Sequence, residues 1–304
     1  MIRGVSIIIP TYRRANPLRW TLADLGRTQP GWGEVLIVDQ NLEACMTGDS
    51  FELQNGLAMH VLRRPPGVVA ARNHAASVAV HEILLFLDDD VRIDDVQFLE
   101  RHRCNYDDPA IDAVCGQELS GPEFQAGAPD RSQFTSIFEE AEFFNRRASE
   151  RRLVAHLSTC NCSVRQDSFQ KIGGFDPFFT GNSYGDDTDL AIRMARAGMR
   201  IVFDPLASVR HLHWREGGLR LNDTSNRSSE FDRHLSSWLV YYRHVPPPWR
   251  RWFLWHRILR RQLLLRRNIL RWHQWPAIIG GILGARSAAR RVACGECPVS
   301  VPGV

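Results

Sequence analysis

The stretch LLFLDDDV, residues 84–91, runs four large apolar side chains together and closes them with three consecutive aspartates. Neighbouring carboxylates repel one another and lose hydration wherever a chain buries them, so a triplet ending a hydrophobic segment does not serve stability. A positive group has to stand opposite it. Taken alone such a run reads as a solvated turn with one helix cap, and only its surroundings assign it more.

Upstream, the short apolar runs VSIIIP (5–10), EVLIVD (34–39) and HVLRR (60–64) join EILLFLD (82–88), with helical segments at 17–29 and 69–80 between them. Continuous apolar strands separated by helices predict a parallel sheet covered on both faces. Ligands in such sheets bind beyond the carboxyl ends of the strands, near a topological switch point. Thr11, Asp39 and the triplet Asp88, Asp89, Asp90 each stand just past such an end. Carboxylate oxygens are hard ligands suited to Mg²⁺ or Mn²⁺, and a site with few carboxylates leaves positions for water and a phosphorylated substrate. The triplet is therefore a candidate site for a diphosphate and its cation.

Downstream the pattern predicts a helix over 96–102, a strand at AVCGQ (113–117), a Gly/Pro-rich loop over 120–130 and an acidic, aromatic helix in FTSIFEEAEFF (134–144). A second acidic cluster, GDDTDL (185–190), opens an amphipathic helix with Leu190, Met194 and Ala197 at the spacing of a buried face and Gly198 as its stop. Asp186, Asp187 and Asp189 fall at its amino end, where the helix dipole favours carboxylates, so part of this cluster reads as capping. The following strand leads to His211 and His213, which share one side of an extended segment. His211 is the stronger ligand candidate of the two.

At 304 residues and 44% hydrophobic content the chain can bury a large α/β core, alone or with an appendage. The net charge of +4 hides an asymmetry, because residues 246–293 are rich in arginine and contain no Asp or Glu. PPPW (246–249) breaks the chain there, which divides it into a catalytic region, 1–245, and a basic tail, 246–304. At 100° per residue Trp252, Trp255, Ile258, Leu259, Leu263, Ile269 and Leu270 share one side of a helix, and Arg257, Arg260, Arg261, Arg267 and Arg271 the other. That pattern suits the surface of an anionic membrane, where each basic residue contributes about 1 kcal/mol. The blander alternative is a helix that packs its apolar side on the catalytic region. So wide an apolar stripe argues against nucleic acid as the partner. GGILGARSAAR (280–290) reads as a second, shorter helix.

Seven cysteines without a repeating frame fit a reducing compartment. MIRGVSIIIP lacks a cleavage site and reads as an opening strand, and no apolar run approaches the ~18 residues of a membrane span. The expectation is a cytoplasmic protein, peripheral on the inner face of the membrane. CGEC (294–297) has no second ligand pair at zinc spacing, CNC (160–162) is too tight to help, and GVVAARN (67–73) has too few glycines for a phosphate-cradling loop.

The ordered array VSIIIPTYRR, VLIVDQN, GVVAARNHA, LLFLDDDV, IGGFDPFF, GDDTDL and VRHLH resembles the family-2 inverting glycosyltransferases of the GT-A fold, over roughly residues 4–215. The resemblance implies a Rossmann-like, mostly parallel sheet flanked by helices, here with a C-terminal amphipathic helical extension. It implies a nucleotide-diphosphate sugar as donor, a divalent cation (Mn²⁺ or Mg²⁺) and a glycan or lipid-linked acceptor. By the same resemblance Pro10, Thr11 and Tyr12 lie against the nucleotide, Asp39 meets the donor base, and Arg72 meets the nucleoside and phosphates. Asp88 and Asp89 fall on the donor side, Asp90 and His211 at the metal, Asp187 at the position of the catalytic base, and Asp186 on the acceptor side. Asp186 stands where the family more often has Glu, and Gln40 where an acidic or amide residue is frequent. Neither spanning helices nor a Gln-x-x-Arg-Trp motif is present, which speaks for transfer of single sugars. Two other functions compete: a nucleotidyltransferase, which should carry a glycine-rich basic loop where PTYRRANPL stands, and a catalytically silent membrane adaptor.

Overall fold

The apolar runs become neighbouring strands because both of their faces find cover. In the computed structural model, which describes residues 4–28, 33–43, 50–120, 134, 136–180, 183–219, 227–245 and 275–294, β1 (Val5–Thr11) is buried along its whole length. It pairs in parallel with β2 (Gly33–Asp39) on one side and with β5 (Ile83–Leu87) on the other. Ile8, Leu36, Val38, Leu84 and Phe86 point into one core, and Ile7, Ile9, Val35, Ile37, Leu85 and Leu87 into a second. Alternation along each strand therefore feeds two cores, and burying each such side chain contributes roughly 1.5–3 kcal/mol.

The first core is covered by α2 (Val68–Val78), through Val69, Ala71 and Ala75, and by α6 (Asp186–Arg196). The second is covered by α1 (Ala15–Leu25), through Leu18, Leu22 and Leu25, and by α3 (Phe98–Arg103). With β3 (Ser50–Glu52) and β4 (Ala58–Arg63), the parallel block β4-β2-β1-β5 reproduces the expected strands. β1 to β2 and β1 to β5 depart in opposite directions, which puts a switch point at the carboxyl end of β1.

Beyond β5 the sheet is mixed. β9 (Asn161–Arg165) inserts antiparallel between β5 and β7 (Ala113–Leu119), and β7 pairs in parallel with β10 (Ile201–His211). Short β6 (Val91–Arg92) and β8 (Arg152–Val154) both run antiparallel to β10. The sequence signals pass over β9 because Asn161 and Ser163 interrupt its apolar run. Both polar side chains are satisfied inside the core, where His102 stands 2.9 Å from Ser163 Oγ and 2.9 Å from Asn161 Oδ1. Burial pushes the His102 pKa down to about 4, so this ring is neutral.

In α6, Leu190 and Met194 are fully buried as expected, but Ala197 ends the helix in solvent. Gly198 follows at φ +75, a left-handed stop that glycine adopts without strain. The remaining described helices are α4 (Ile137–Phe143), α5 (Gln166–Lys171), α7 (Arg227–His244) and α8 (Trp275–Ala293). α8 contains the short helix expected at 280–290 and packs on α7. The Arg/Trp-rich tail pattern of 252–271 lies outside the described residues. Among the described residues no helix is long and apolar enough to cross a membrane.

α7 is fastened to the sheet domain through Asp189. That fully buried carboxylate accepts from Arg193 Nε at 2.7 Å, Arg243 Nη1 at 3.0 Å and His244 Nε2 at 2.8 Å. Arg196 donates to His244 Nδ1 at 2.9 Å, so the proton of a neutral His244 sits on Nε2, facing Asp189. Burial would raise the Asp189 pKa, yet the His244 hydrogen bond and the charges of Arg193 and Arg243 hold it well below the carboxylate range. Asp189→Asn should lower stability by about 3 kcal/mol or more, because it leaves two guanidinium groups short of their counter-charge. The folded pKa lies below the unfolded one, so this contribution is complete above roughly pH 4 and is lost as acid titrates the carboxylate. Denaturant titrations at neutral pH and at pH 3 check this: the gap between wild type and variant should narrow in acid.

Candidate active site

The aspartate triplet leaves β5 at Leu87 and is caught again by β6, whose Val91 pairs with His211 at the end of β10. This pairing turns the triplet into a tight loop with His211 beside it. Thr21 of α1 pins the loop, its hydroxyl 3.0 Å from the Asp89 carbonyl oxygen and 2.9 Å from that of Val91. Each aspartate then meets different partners.

Asp89 is buried and accepts from Thr11 Oγ1 at 2.7 Å and Arg14 Nη1 at 3.1 Å. Burial pushes its pKa up to about 7, against the opposing charge of Arg14. Asp90 accepts the Trp214 amide at 2.8 Å, stands 3.2 Å from His211 Nε2, and is 3.2 Å from Arg14 Nη1. Burial works against ionisation here too, but His211, Arg14 and the Trp214 amide together hold the Asp90 pKa below its ordinary value. Asp88 is the most exposed of the three, with Arg72 Nη2 at 3.4 Å and His211 Nε2 at 3.8 Å.

Arg14 therefore supplies the positive charge the triplet calls for, and it does more. It donates to the carbonyls of Trp214 at 2.7 Å and Glu216 at 3.2 Å, while the Gly218 amide donates to the Tyr12 carbonyl at 2.7 Å. These bonds fold the segment after β10 over the loop after β1. The resulting cleft is lined by Pro10, Tyr12, Arg14, Arg72, Asp88, Asp89, Asp90, Tyr184 and His211 among others.

Arg72, on α2, joins this loop to the second acidic cluster. Its Nη1 donates to Asp186 Oδ2 at 2.8 Å while Nη2 reaches Asp88, and its guanidinium lies 5.7 Å from the centre of the Phe175 ring. Asp186 is thus fully buried behind Arg72. Asp187 projects differently: it is half-buried and accepts its neighbour's amide, Thr188 N, at 2.8 Å. Gly185, at φ +88, starts the helix so close to α7 that an added Cβ would stand 2.8 Å from Val240 Cγ2. The three carboxylates of GDDTDL thereby part ways, one to Arg72, one within reach of the Arg146 charge and one to α7.

Asp39 ends β2 fully buried, with Asn41 N at 3.0 Å and Asn41 Nδ2 at 2.6 Å on Oδ1. Gln40 takes the Gly67 amide at 2.7 Å and so ties the start of α2 to β2. Thr11 reaches the site through Asp89, and Pro10 and Tyr12 line the cleft directly.

Arg14 and Glu118 are the residues that sequence reasoning missed. Glu118 is buried at the end of β7, accepts from Arg146 at 2.6 Å and Ser158 at 3.2 Å, and holds His211 Nδ1 at 3.0 Å. Burial opposes its ionisation, but the His211 hydrogen bond and the Arg146 and His211 charges hold its pKa down to about 2. His211 is raised well above the ordinary histidine range: burial opposes this, and Cys160, Asp90 and Glu118 around the ring override it. The available signal for Glu118 was the same as for Thr11 and Asp39, a polar residue closing an apolar strand. His213 lies against His211 with ring centroids 4.0 Å apart and planes tilted by 41°, and stays exposed.

Donor atoms of Asp88, Cys160 and His211 lie within 4.8 Å of one another, as do those of Glu118, His211 and His213. Carboxylate and imidazole donors so grouped fit a divalent cation, with Asp88 and His211 on the cleft wall.

Residues 6–173, more than half of the chain, match the family described as Glycosyl transferase family 2. A pre-mycofactocin glycosyltransferase of Mycobacterium tuberculosis is 27% identical over 217 residues, which are 69% of this chain and 43% of that protein. The chain thus spans less than half the length of that relative. The O-antigen chain rhamnosyltransferase RfbN of Salmonella typhimurium is 24% identical over 250 residues, 81% of this chain and 74% of that one. Among solved structures, the mannosyltransferase PcManGT of Pyrobaculum calidifontis, in complex with GDP-Man and Mn²⁺, superposes with a TM-score of 0.53 at 17% identity, covering 97% of this chain and 80% of its own.

The Arg72–Asp186 pair can be tested by itself. Arg72→Met should cost about 3–5 kcal/mol of stability, since it takes the guanidinium from a fully buried carboxylate. Adding Asp186→Asn should recover part of the loss, read as coupling in a double-mutant cycle by chemical denaturation. Additive losses would mean that the two groups do not depend on each other.

Proposed function

The chain belongs to glycosyl transferase family 2, and from that premise we propose that it transfers one sugar at a time from a nucleotide-diphosphate sugar to a glycan or lipid-linked acceptor, with inversion at the anomeric carbon. One observation carries this reading: a single guanidinium, Arg72, spans Asp88 of one acidic segment and Asp186 of the other. Through this side chain the segment with the aspartate triplet on the cleft wall is tied to the first turn of α6, where Asp187 stands.

In this reading Pro10, Tyr12 and Asp39 take the nucleoside, and Arg72 offers its charge to the phosphates. Asp88, Asp90 and His211 would hold a divalent cation, which would neutralise the charge that develops on the departing nucleotide diphosphate. Arg14 keeps Asp89 and Asp90 in place from below. Asp187 stands at the start of α6, half-buried and clear of the ion pairs that occupy Asp186 and Asp189, as a base for the acceptor hydroxyl must. It takes the hydroxyl proton while the oxygen attacks from the face opposite the leaving group, so a single base suffices and configuration inverts. General-base catalysis of this kind contributes ~10²- to 10⁴-fold in rate.

The acid-free segment 246–274 supports a location at an anionic bilayer, where a lipid-linked acceptor would be presented. RfbN, named for O-antigen chain assembly, supports a surface glycan as the product class.

Asp187→Asn should lower kcat by ~10²- to 10⁴-fold with nucleotide binding kept, as read by transfer assay and calorimetry. Full turnover in that variant rejects Asp187 as the base. Chelation with EDTA should abolish transfer, and added Mn²⁺ or Mg²⁺ should restore it. Replacing Arg257, Arg260, Arg261, Arg267 and Arg271 by Gln should abolish sedimentation with anionic liposomes; undiminished sedimentation would place the membrane contact elsewhere.

A further inference from the structure

The cluster at the end of β10 contains one donor that a hard-cation site does not require. Cys160 immediately precedes β9, is 4% exposed, and has its Sγ within 4.8 Å of donor atoms of both Asp88 and His211. Its carbonyl accepts the Asp88 amide at 3.3 Å, so the backbone itself ties the thiol to the triplet. Cys162, two positions on, faces the opposite core, which is why CNC presents one sulfur to the site and not two.

We propose that Asp88, Cys160 and His211 form a three-ligand site for a borderline or soft divalent cation of the Zn²⁺, Co²⁺ or Cd²⁺ class, with its fourth position open to the cleft. Three protein ligands and one open position is the arrangement of reactive zinc sites. A tetrahedral ion bonded at ~2.0 Å to nitrogen and ~2.3 Å to sulfur spaces its ligands by roughly 3.5 Å. The 3.8 Å between Asp88 Oδ2 and His211 Nε2 already approaches that spacing. Glu118 holds His211 Nδ1 at 3.0 Å, which turns Nε2 towards Asp90 at 3.2 Å and Asp88 at 3.8 Å and supplies the carboxylate of a carboxylate–histidine–metal arrangement. Asp90 loses His211 Nε2 to the ion but keeps the Trp214 amide and Arg14. A thiolate ligand selects against Mg²⁺ and Mn²⁺ and in favour of zinc-like ions. Because Asp88 and His211 belong to both sets, a zinc-like ion held here competes with the hard cation that a diphosphate brings.

The ligand set stands on its own donor atoms and needs no nucleotide, so it can fail while the sugar-transfer reading holds, and the reverse. The test is a Co²⁺ titration of the metal-stripped full chain without nucleotide, followed in the near-ultraviolet. Wild type should develop a thiolate-to-cobalt charge-transfer band that Zn²⁺ displaces. Cys160→Ser should lack that band and bind Zn²⁺ about tenfold more weakly or worse, with Mn²⁺ binding retained as evidence that it folds. No band in the wild type, or a band that survives in Cys160→Ser, overturns the proposal. A Zn²⁺-soaked wild-type crystal decides without any variant: the anomalous peak should lie ~2.3 Å from Cys160 Sγ, and a peak away from Cys160 overturns it.

Discussion

Arg72 carries the charge of two acidic segments that stand far apart in the chain. Its two terminal nitrogens hold Asp186, which no solvent reaches, and Asp88, which faces the cleft. A carboxylate as deeply buried as Asp186 persists only with a cation against it. A guanidinium is well suited to that task, since it offers donors in a fixed fork. Because α2 presents Arg72 while β5 and α6 lead into the carboxylates, this one side chain sets the distance between the two acidic segments.

The rest of the cleft follows the same logic of compensated charge. Arg14 neutralises the inner pair of the triplet and, through the carbonyls of Trp214 and Glu216, draws the segment after β10 over the cleft. His211 lies between Glu118 and Asp90, with Arg146 behind Glu118. Every member of the triplet thus has a protein cation or histidine beside it. Asp88, the most exposed member, has the longest contacts. Burial raises the Asp89 pKa to about 7 against the opposing charge of Arg14.

The same economy fastens the C-terminal helices. Asp189 gathers Arg193, Arg243 and His244, so α7 closes over the helix whose first turn carries Asp187. α8 then packs on α7 and adds Ala288 to the core beneath. The C-terminal end of the described chain thereby braces the site although it contributes no residue to it.

Apolar runs closed by Thr11, Asp39 and Asp88 were legible without coordinates, because continuous hydrophobicity with polar tips has few other physical meanings in an α/β chain. The helix opened by GDDTDL was legible for the same reason, through the spacing of Leu190 and Met194. What the linear order could not express is which charge faces which. Asp186, Asp187 and Asp189 are equivalent letters in one cluster, yet Arg72, Arg146 and α7 assign them three environments. Arg14 and Glu118 gain their significance from partners scores of residues away, and β9 gains its place from core contacts that satisfy Asn161 and Ser163. Local pattern decides where strands and helices form, since burial periodicity is a property of neighbours in the chain. The pairing of buried charges is decided only in three dimensions, since a Coulomb partner is set by distance in space and not by position in sequence.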